Sequence, residues 1–321
     1  MKLHTRFLAA TAAGLLALTT ACGAGAPTDP APAGSETPTE TITVTHAQGT
    51  VELDGPAKRI VVLDHGSLDT VRALGASDAV VGVAKGQFLS DPVKDFADDT
   101  TYANVGTLQE PDFEKIAALE PDLIIAGFRS AKQQPELNKI APTVDVTFAY
   151  DKGYYVGVEY ATNIIAEALG KQDEAAVQLK ELEDAIAEAK GKVDPGKNAM
   201  VLMTSGGKVS VHGTNSRYGV LFNDLGIEPT ISDVEAEAHG DAISFEAIQQ
   251  ANPDIMFVVD RDSAVGQEGA AAQEVLDNEL IASTTAWANQ DVVYLDGARW
   301  YILIHGVDNA VEMMKDVSEG L

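Results

Sequence analysis

Two stretches of the chain repeat each other at one spacing, and that spacing constrains the fold more than any other feature. Phe113-Glu114-Lys115-Ile116, Pro121-Asp122-Leu123-Ile124-Ile125 and Arg129 return as Phe245-Glu246-Ala247-Ile248, Pro253-Asp254-Ile255-Met256-Phe257 and Arg261, every pair 132 residues apart. Each copy reads as a short helix, a Pro-Asp turn and a buried strand, with the arginine just past the strand's C-terminal end. The segments ahead of them correspond more loosely. Residues 60–63 and 199–202 read as strands, each followed by a helix that ends at a glycine C-cap, Leu74-Gly75 and Leu225-Gly226. The pattern predicts an α/β chain of two similar lobes with largely parallel sheets. Residues 42–46 and 51–53, around Ala47-Gln48-Gly49, read as a hairpin ahead of the first lobe.

Between the two copies, residues 154–192 read as one long α-helix. Ile164, Ile165, Ala168 and Leu169, then Leu179, Leu182, Ile186 and Ala189, fall mostly on one face, and Glu and Lys occupy the other. The expected organisation is an N-terminal lobe over 42–153, this connector over 154–192, and a C-terminal lobe over 193–321. A stiff connector holds two lobes at a nearly fixed distance with a ligand cleft between them. Open parallel sheets bind ligands beyond the carboxyl ends of their strands, so Arg129 and Arg261 become facing site candidates.

The N-terminus reads as an address. Lys2 and Arg6 precede an apolar run over 7–18 that is too short to span a bilayer, and Cys22, the single cysteine of the chain, follows small residues. The run resembles the lipobox of bacterial lipoproteins, departing from it at Thr19, where leucine is usual. The expectation is a signal peptide over 1–21, lipidation of Cys22, and a Pro-, Thr- and Gly-rich tether to residue 41. A formal charge of −27 leaves no basic surface for nucleic acid. Against that background clustered arginines carry more information.

The lobes, the connector and several ordered stretches carry a family resemblance. The stretches include Gly66-Ser67-Leu68-Asp69-Thr70, Val105-Gly106-Thr107-Leu108-Gln109-Glu110-Pro111-Asp112-Phe113-Glu114, Ser216-Arg217-Tyr218-Gly219, His239-Gly240-Asp241-Ala242-Ile243-Ser244-Phe245-Glu246, Val259-Asp260-Arg261 and Trp300-Tyr301. From about residue 41 to the end the chain resembles the class III (cluster A-III) substrate-binding proteins of ABC importers, and within them the petrobactin and catecholate siderophore-binding lipoproteins. The resemblance implies a ferric siderophore as ligand, no cofactor, an ABC permease with its ATPase as partner, and a monomer. It places the protein on the extracellular face of a membrane, held by its lipid, in a Gram-positive bacterium.

By that resemblance Arg129, Arg217 and Arg261 form a ligand cradle, His239 and Tyr301 complete the coordination of iron held by a four-donor chelator, and Trp300 sits beside the ligand. Glu114 and Glu246, one per lobe, dock on the permease. The chemistry is apt: guanidinium keeps its charge, stacks on aromatic rings and reaches catecholate oxygens, and ferric iron prefers oxygen donors. His65, Lys85 and His305 are further cleft candidates. His65 stands where the family tends to carry an apolar or aromatic residue. Ile302-Leu303-Ile304-His305 replaces the small residues that tend to follow Trp-Tyr. A haem or cobalamin carrier of the same fold stays open as an alternative. An enzyme is not expected, because the sequence has no G-x-S-x-G elbow, Walker A loop, H-E-x-x-H or cysteine nucleophile beyond Cys22.

Overall fold

The computed structural model describes residues 41–86, 89–234 and 239–321. The expected signal peptide, the Cys22 lipidation site and all but the last residue of the tether lie outside them. The chain opens on an antiparallel hairpin, β1 (Ile42–His46) and β2 (Gly49–Leu53), whose second strand starts at Gly49, two residues earlier than expected. The first sheet holds β3 (Ile60–Val62), β4 (Val80–Val83), β5 (Ala103–Asn104), β6 (Leu123–Ala126) and β7 (Thr143–Asp145). It is parallel throughout, in the order β5-β4-β3-β6-β7.

The second sheet keeps parallel pairings around β8 (Asn198–Ser205) and adds antiparallel strands at one edge. β8 turns at Gly206-Gly207 into antiparallel β9 (Lys208–His212), where a helix was expected. Both glycines sit at positive φ, +57° and +72°, which a tight hairpin turn requires. β10 (Glu228–Pro229) pairs with β8, β11 (Asp241–Ala242) with β9, and β12 (Ile255–Asp260) and β13 (Val292–Leu295) continue in parallel on the far side of β8.

The repeat is structural as well as sequential. β3-β6-β7 in one sheet corresponds to β8-β12-β13 in the other. Asp122 accepts from the Lys58 and Arg59 backbone N–H groups, at 2.9 Å each, where the chain enters β3. Asp254 accepts from Asn198 N at 3.0 Å where it enters β8. The Pro-Asp turn therefore locks each repeat strand to the first strand of its lobe. Glu120 and Asn252, just before the two prolines, share a left-handed backbone, with φ of 47° and 49°. Asn accepts this conformation and Glu does so poorly. Glu120 is exposed, and its backbone carbonyl accepts from Arg59 Nε. Glu120→Asn is expected to stabilise the fold by about 0.5–1 kcal/mol, a rise of about 2 °C in a thermal melt; no rise would show that the strain is absorbed elsewhere.

The described residues form one compact unit, and one apolar cluster runs through both sheets. Leu123 and Ile125 of β6, and Ile255 and Phe257 of β12, point into this shared core. Ile124 and Met256 point to the outer faces, where separate clusters cover them. Strands buried on both faces explain the unbroken apolar runs in the sequence. The connector is two helices, Tyr154–Leu169 and Gln172–Lys192, separated by Gly170 at φ +65°. The long helix joining the lobes is thus the second of these, 21 residues long, and the expected continuous helix over 154–192 is corrected.

The lobes meet along a seam between the helix His65–Ala73 and the start of the C-terminal helix Val307–Gly320. Gly66 and Gly306 lie back to back: a Cβ on Gly66 would stand 2.5 Å from the His305 ring, and one on Gly306 2.8 Å from Gly66 O. Asp64 caps the first helix, accepting from Ser67 N at 2.7 Å, and its Oδ1 is 2.6 Å from His305 Nε2, with both side chains about 2% exposed. Beyond them Asp69 accepts from Asn309 N at 2.9 Å, and Arg72 bridges Asp69 and Asp308 at 2.7 Å each.

Candidate functional site

The sequence-predicted arginines converge on one side chain. Tyr301 lies in a π-helical turn, Ala298–Ile302, ahead of the C-terminal helix. The guanidinium carbons of Arg129, Arg217 and Arg261 stand 5.2, 4.9 and 5.7 Å from the centre of its ring. Arg129 Nη2 and Arg217 Nη1 donate to the Tyr301 carbonyl at 3.0 and 3.3 Å, and Arg261 Nε donates to its hydroxyl at 3.2 Å. Arg129 comes from the loop after β6 and Arg261 from the residue after β12, so the duplicated strands aim their arginines at one point. Arg217 arrives from the loop after β9. Three cations on one ring repel one another and gain cation–π attraction in partial return.

The charges act on the phenol. Burial pushes the Tyr301 pKa up, but the Arg261 hydrogen bond and the three guanidinium charges outweigh it and hold the pKa below its ordinary value. The arginines ease ionisation of the phenol, whose oxygen is a donor suited to a hard trivalent cation. Arg261 is itself braced, with Nη1 3.3 Å from both Ser205 Oγ and Gln267 Oε1 and 3.5 Å from Asp262 Oδ1.

Exposed His239 lines, with Arg261, Ser205 and Ser210, a cavity of about 390 Å³ on this side of the cluster. Its backbone carbonyl accepts from Ser210 Oγ at 2.6 Å, which holds the loop. Partial burial and the same three arginines lower its pKa, so the imidazole is neutral and its lone pair available. Arg261 bonds the Tyr301 hydroxyl and lines the same cavity as His239. Among the described residues no group of three or more His, Cys, Asp or Glu is arranged to hold a metal ion by itself.

A second cavity, of about 250 Å³, opens on the other side of Arg129 and is lined by His65, Lys85, Ser90, Gln109, Val265 and Ile302, among others. Lys85 is no bare cleft cation: only 6% exposed, it donates to Asp99 Oδ1 at 2.7 Å and to the Ala97 carbonyl at 3.0 Å. His65 is buried with Nε2 2.9 Å from the Ala84 carbonyl, and burial lowers its pKa. His305 is spent on the seam, paired with Asp64 and stacked on Phe128 at 4.0 Å between ring centres. Phe128 has a left-handed backbone, φ 48°, immediately before Arg129. An aromatic residue in that region stores strain, here locked by the His305 stack and by Phe128 N donating to Thr147 Oγ1 at 2.7 Å.

Trp300 is corrected. It is fully buried in the shared core, which also holds Tyr301, 4% exposed beside the three arginines. Glu114 and Glu246 are exposed in the first turns of matching helices capped by Asp112 and Ser244, and neither enters an ion pair among the described residues. Sequence reasoning missed Asp64, Asp69, Arg72 and Ser90. Asp64 left a trace, as an Asp three residues before Ser67 at a helix start, and Asp69 stood without a role within Gly66–Thr70.

Comparison with known proteins places these features in a family. The periplasmic binding protein family matches residues 60–298. The petrobactin-binding protein YclQ of Bacillus subtilis is 38% identical over 292 residues, 90% of each chain. Its crystal structure superposes with a TM-score of 0.83 at 36% identity, covering 88% of this chain and 98% of that one. The ferric-anguibactin-binding protein FatB of Vibrio anguillarum is 30% identical over 289 residues, 89% of this chain and 88% of the relative. The periplasmic catecholate-siderophore binding protein VctP of Vibrio cholerae superposes with a TM-score of 0.80 at 33% identity, over 87% of this chain and all of that one.

Proposed function

The chain belongs to the periplasmic binding protein family, whose members bind substrates rather than transform them, and we propose that it captures a ferric siderophore of the catecholate type for an ABC importer. The observation that carries this reading is the convergence of Arg129, Arg217 and Arg261 on Tyr301. A ferric catecholate is a polyanion with flat rings, and guanidinium groups meet both its charge and its faces. Tyr301, its ionisation eased by the arginines, and neutral His239 supply the two donors that a four-donor chelator leaves open. Similarity to binders of petrobactin, anguibactin and catecholate siderophores supports this cargo over haem or cobalamin.

Capture is binding without covalent chemistry. The chelate enters between the lobes, its charge meets the arginines, and Tyr301 and His239 cap the iron. Glu114 and Glu246, at equivalent places on the two lobes, dock the loaded protein on the two halves of a permease driven by its ATPase. Their bare carboxylates support this use over helix capping, which Asp112 and Ser244 already perform. The protein works as a monomer tethered through a lipid on Cys22 at the outer face of a Gram-positive membrane. Relatives named as substrate-binding and siderophore-binding lipoproteins support the anchor, and no helix among the described residues is long and apolar enough to cross a membrane.

The decisive test is Tyr301→Phe, titrated with the ferric complex of a tetradentate bis-catecholate and followed by visible absorption. The unsubstituted protein is expected to shift the ligand-to-metal band on binding. The variant is expected to leave the band where it lies for the free chelate and to bind about 10- to 100-fold more weakly. A shifted band in Tyr301→Phe would remove the tyrosine from the iron. A Soret band with haem, without binding of the ferric catecholate, would transfer the cargo to haem.

A further inference from the structure

We propose that His212 is a positioning residue for His239: its buried ring carries the Gly240 backbone and so fixes where the neighbouring imidazole meets the iron. The proposal rests on the ferric-chelate reading above and names what aims one of its two donors.

Metal-binding histidines are usually aimed by a hydrogen bond on the second ring nitrogen. Among the described residues the one hydrogen bond of His239 runs through its carbonyl, which accepts from Ser210 Oγ at 2.6 Å. The aim of this ring therefore rests on its backbone. One residue on, Asp241 pairs antiparallel with Val211, so the turn is tied to β9 at both ends. Between these ties the backbone runs over the side chain of His212. Gly240 has a left-handed conformation, φ +72°, and a Cβ placed there would stand 2.6 Å from the Val211 carbonyl oxygen and 2.8 and 2.9 Å from His212 Nε2 and Cδ2. Only glycine fits, and it lies directly against the ring.

The ring is closed in. His212 is 2% exposed and packs edge to face on Tyr218, itself fully buried, at 4.7 Å between ring centres and 82° between planes. The next residue, Gly213, is closed in as well: a Cβ on it would stand 2.8 Å from Val234 Cβ. A side chain packed in this way has few rotamers open to it, so the place of Gly240 is set and not averaged.

The chemistry of His212 is that of a spacer. Among the described residues neither Nδ1 nor Nε2 has a hydrogen-bond partner. Burial, with the Arg217 and His239 charges, lowers its pKa to about 3, so the ring is neutral. Buried polar atoms without partners are uncommon in folded proteins and call for a specific cause. A neutral ring that bonds to nothing acts through its shape, and this one fills the space beneath the backbone of a metal donor.

The test compares two ferric catecholates, one of a tetradentate bis-catecholate that leaves two iron positions open and one of a hexadentate tris-catecholate that leaves none. The unsubstituted protein is expected to bind both. His212→Ala is expected to weaken the tetradentate complex about tenfold and to leave the hexadentate one within about twofold, because only the first needs the histidine. In a His239→Ala background the same substitution is expected to cost the tetradentate complex less than about twofold, since its effect passes through His239. Gly240→Ala, which pushes the same backbone off the ring, is expected to behave as His212→Ala does. Equal losses for both complexes, a loss undiminished in His239→Ala, or no loss at all would overturn the positioning role and make His212 an ordinary core residue. If His212→Ala fails to fold, Gly240→Ala carries both comparisons. If the unsubstituted protein binds neither complex, or His239→Ala binds the tetradentate one unimpaired, the reading of the site itself fails, and the positioning role with it.

Discussion

Arg261→Ala is expected to weaken binding of a ferric catecholate by about 10- to 150-fold while leaving the fold intact. A hydrogen bond to a charged group contributes about 1.5–3 kcal/mol, which converts to that range. Arg261 should reach its upper end because the group is held in advance. Ser205, Gln267 and Asp262 fix the guanidinium, so little freedom remains to be lost on binding. It also holds the Tyr301 hydroxyl at 3.2 Å. Its removal is therefore expected to let the Tyr301 pKa rise and to move the pH midpoint of the iron band upward. Stability should not fall in step, because one of three mutually repelling cations has gone. Isothermal titration with a parallel thermal melt reads both quantities. An affinity unchanged by the substitution would remove Arg261 from the ligand; a melt that collapses with the affinity would make it a structural residue.

The largest loss of stability is expected at Asp64→Ala. Breaking one partner of a buried ion pair costs about 3–5 kcal/mol, and His305 would be left facing an empty space in the seam. Asp64 is also a helix cap, so the substitution removes the bonds from Ser67 N and Ser67 Oγ as well. A fall of about 10 °C in the melting temperature follows for a chain of this size. The pH dependence has a definite sign. Burial pushes the Asp64 pKa up, but the His305 charge and hydrogen bond and the Ser67 bonds bring it down to about 2 from 3.8. A lowered carboxyl pKa stabilises the fold above about 3.8 and loses that contribution as pH falls through about 2. The gap between the unsubstituted protein and Asp64→Asn, measured by urea unfolding at pH 7 and pH 2.5, is expected to narrow at the lower pH. A gap of the same size at both would show that the carboxylate charge contributes nothing.

The repeat makes much of this fold legible in the amino-acid sequence. It marks the paired strands, the turns that lock them and the two arginines, because duplicated lobes place equivalent residues at equivalent ends. The legibility stops where local pattern and long-range contact part. The apolar face of residues 154–192 runs on through Gly170, so periodicity alone hides the break there. Gly206-Gly207 is a readable hairpin signal, outweighed by analogy with the first lobe. Trp300 and Tyr301 are neighbours of similar character, and only the π-helical turn decides which meets the arginines. Asp64 and His305 are 241 residues apart, and nothing in either neighbourhood announces the other.

The meeting of Gly66 and Gly306 divides the labour of change within the molecule. Where two backbones touch, the distance between lobes is set by atoms that no side-chain substitution can lengthen or trim. Variation at this seam is forbidden by crowding, whereas rim positions such as Gln109 and Val265 line a cavity. A lineage carrying this scaffold can exchange one chelate for another by rewriting the rim, without renegotiating how its two halves are joined.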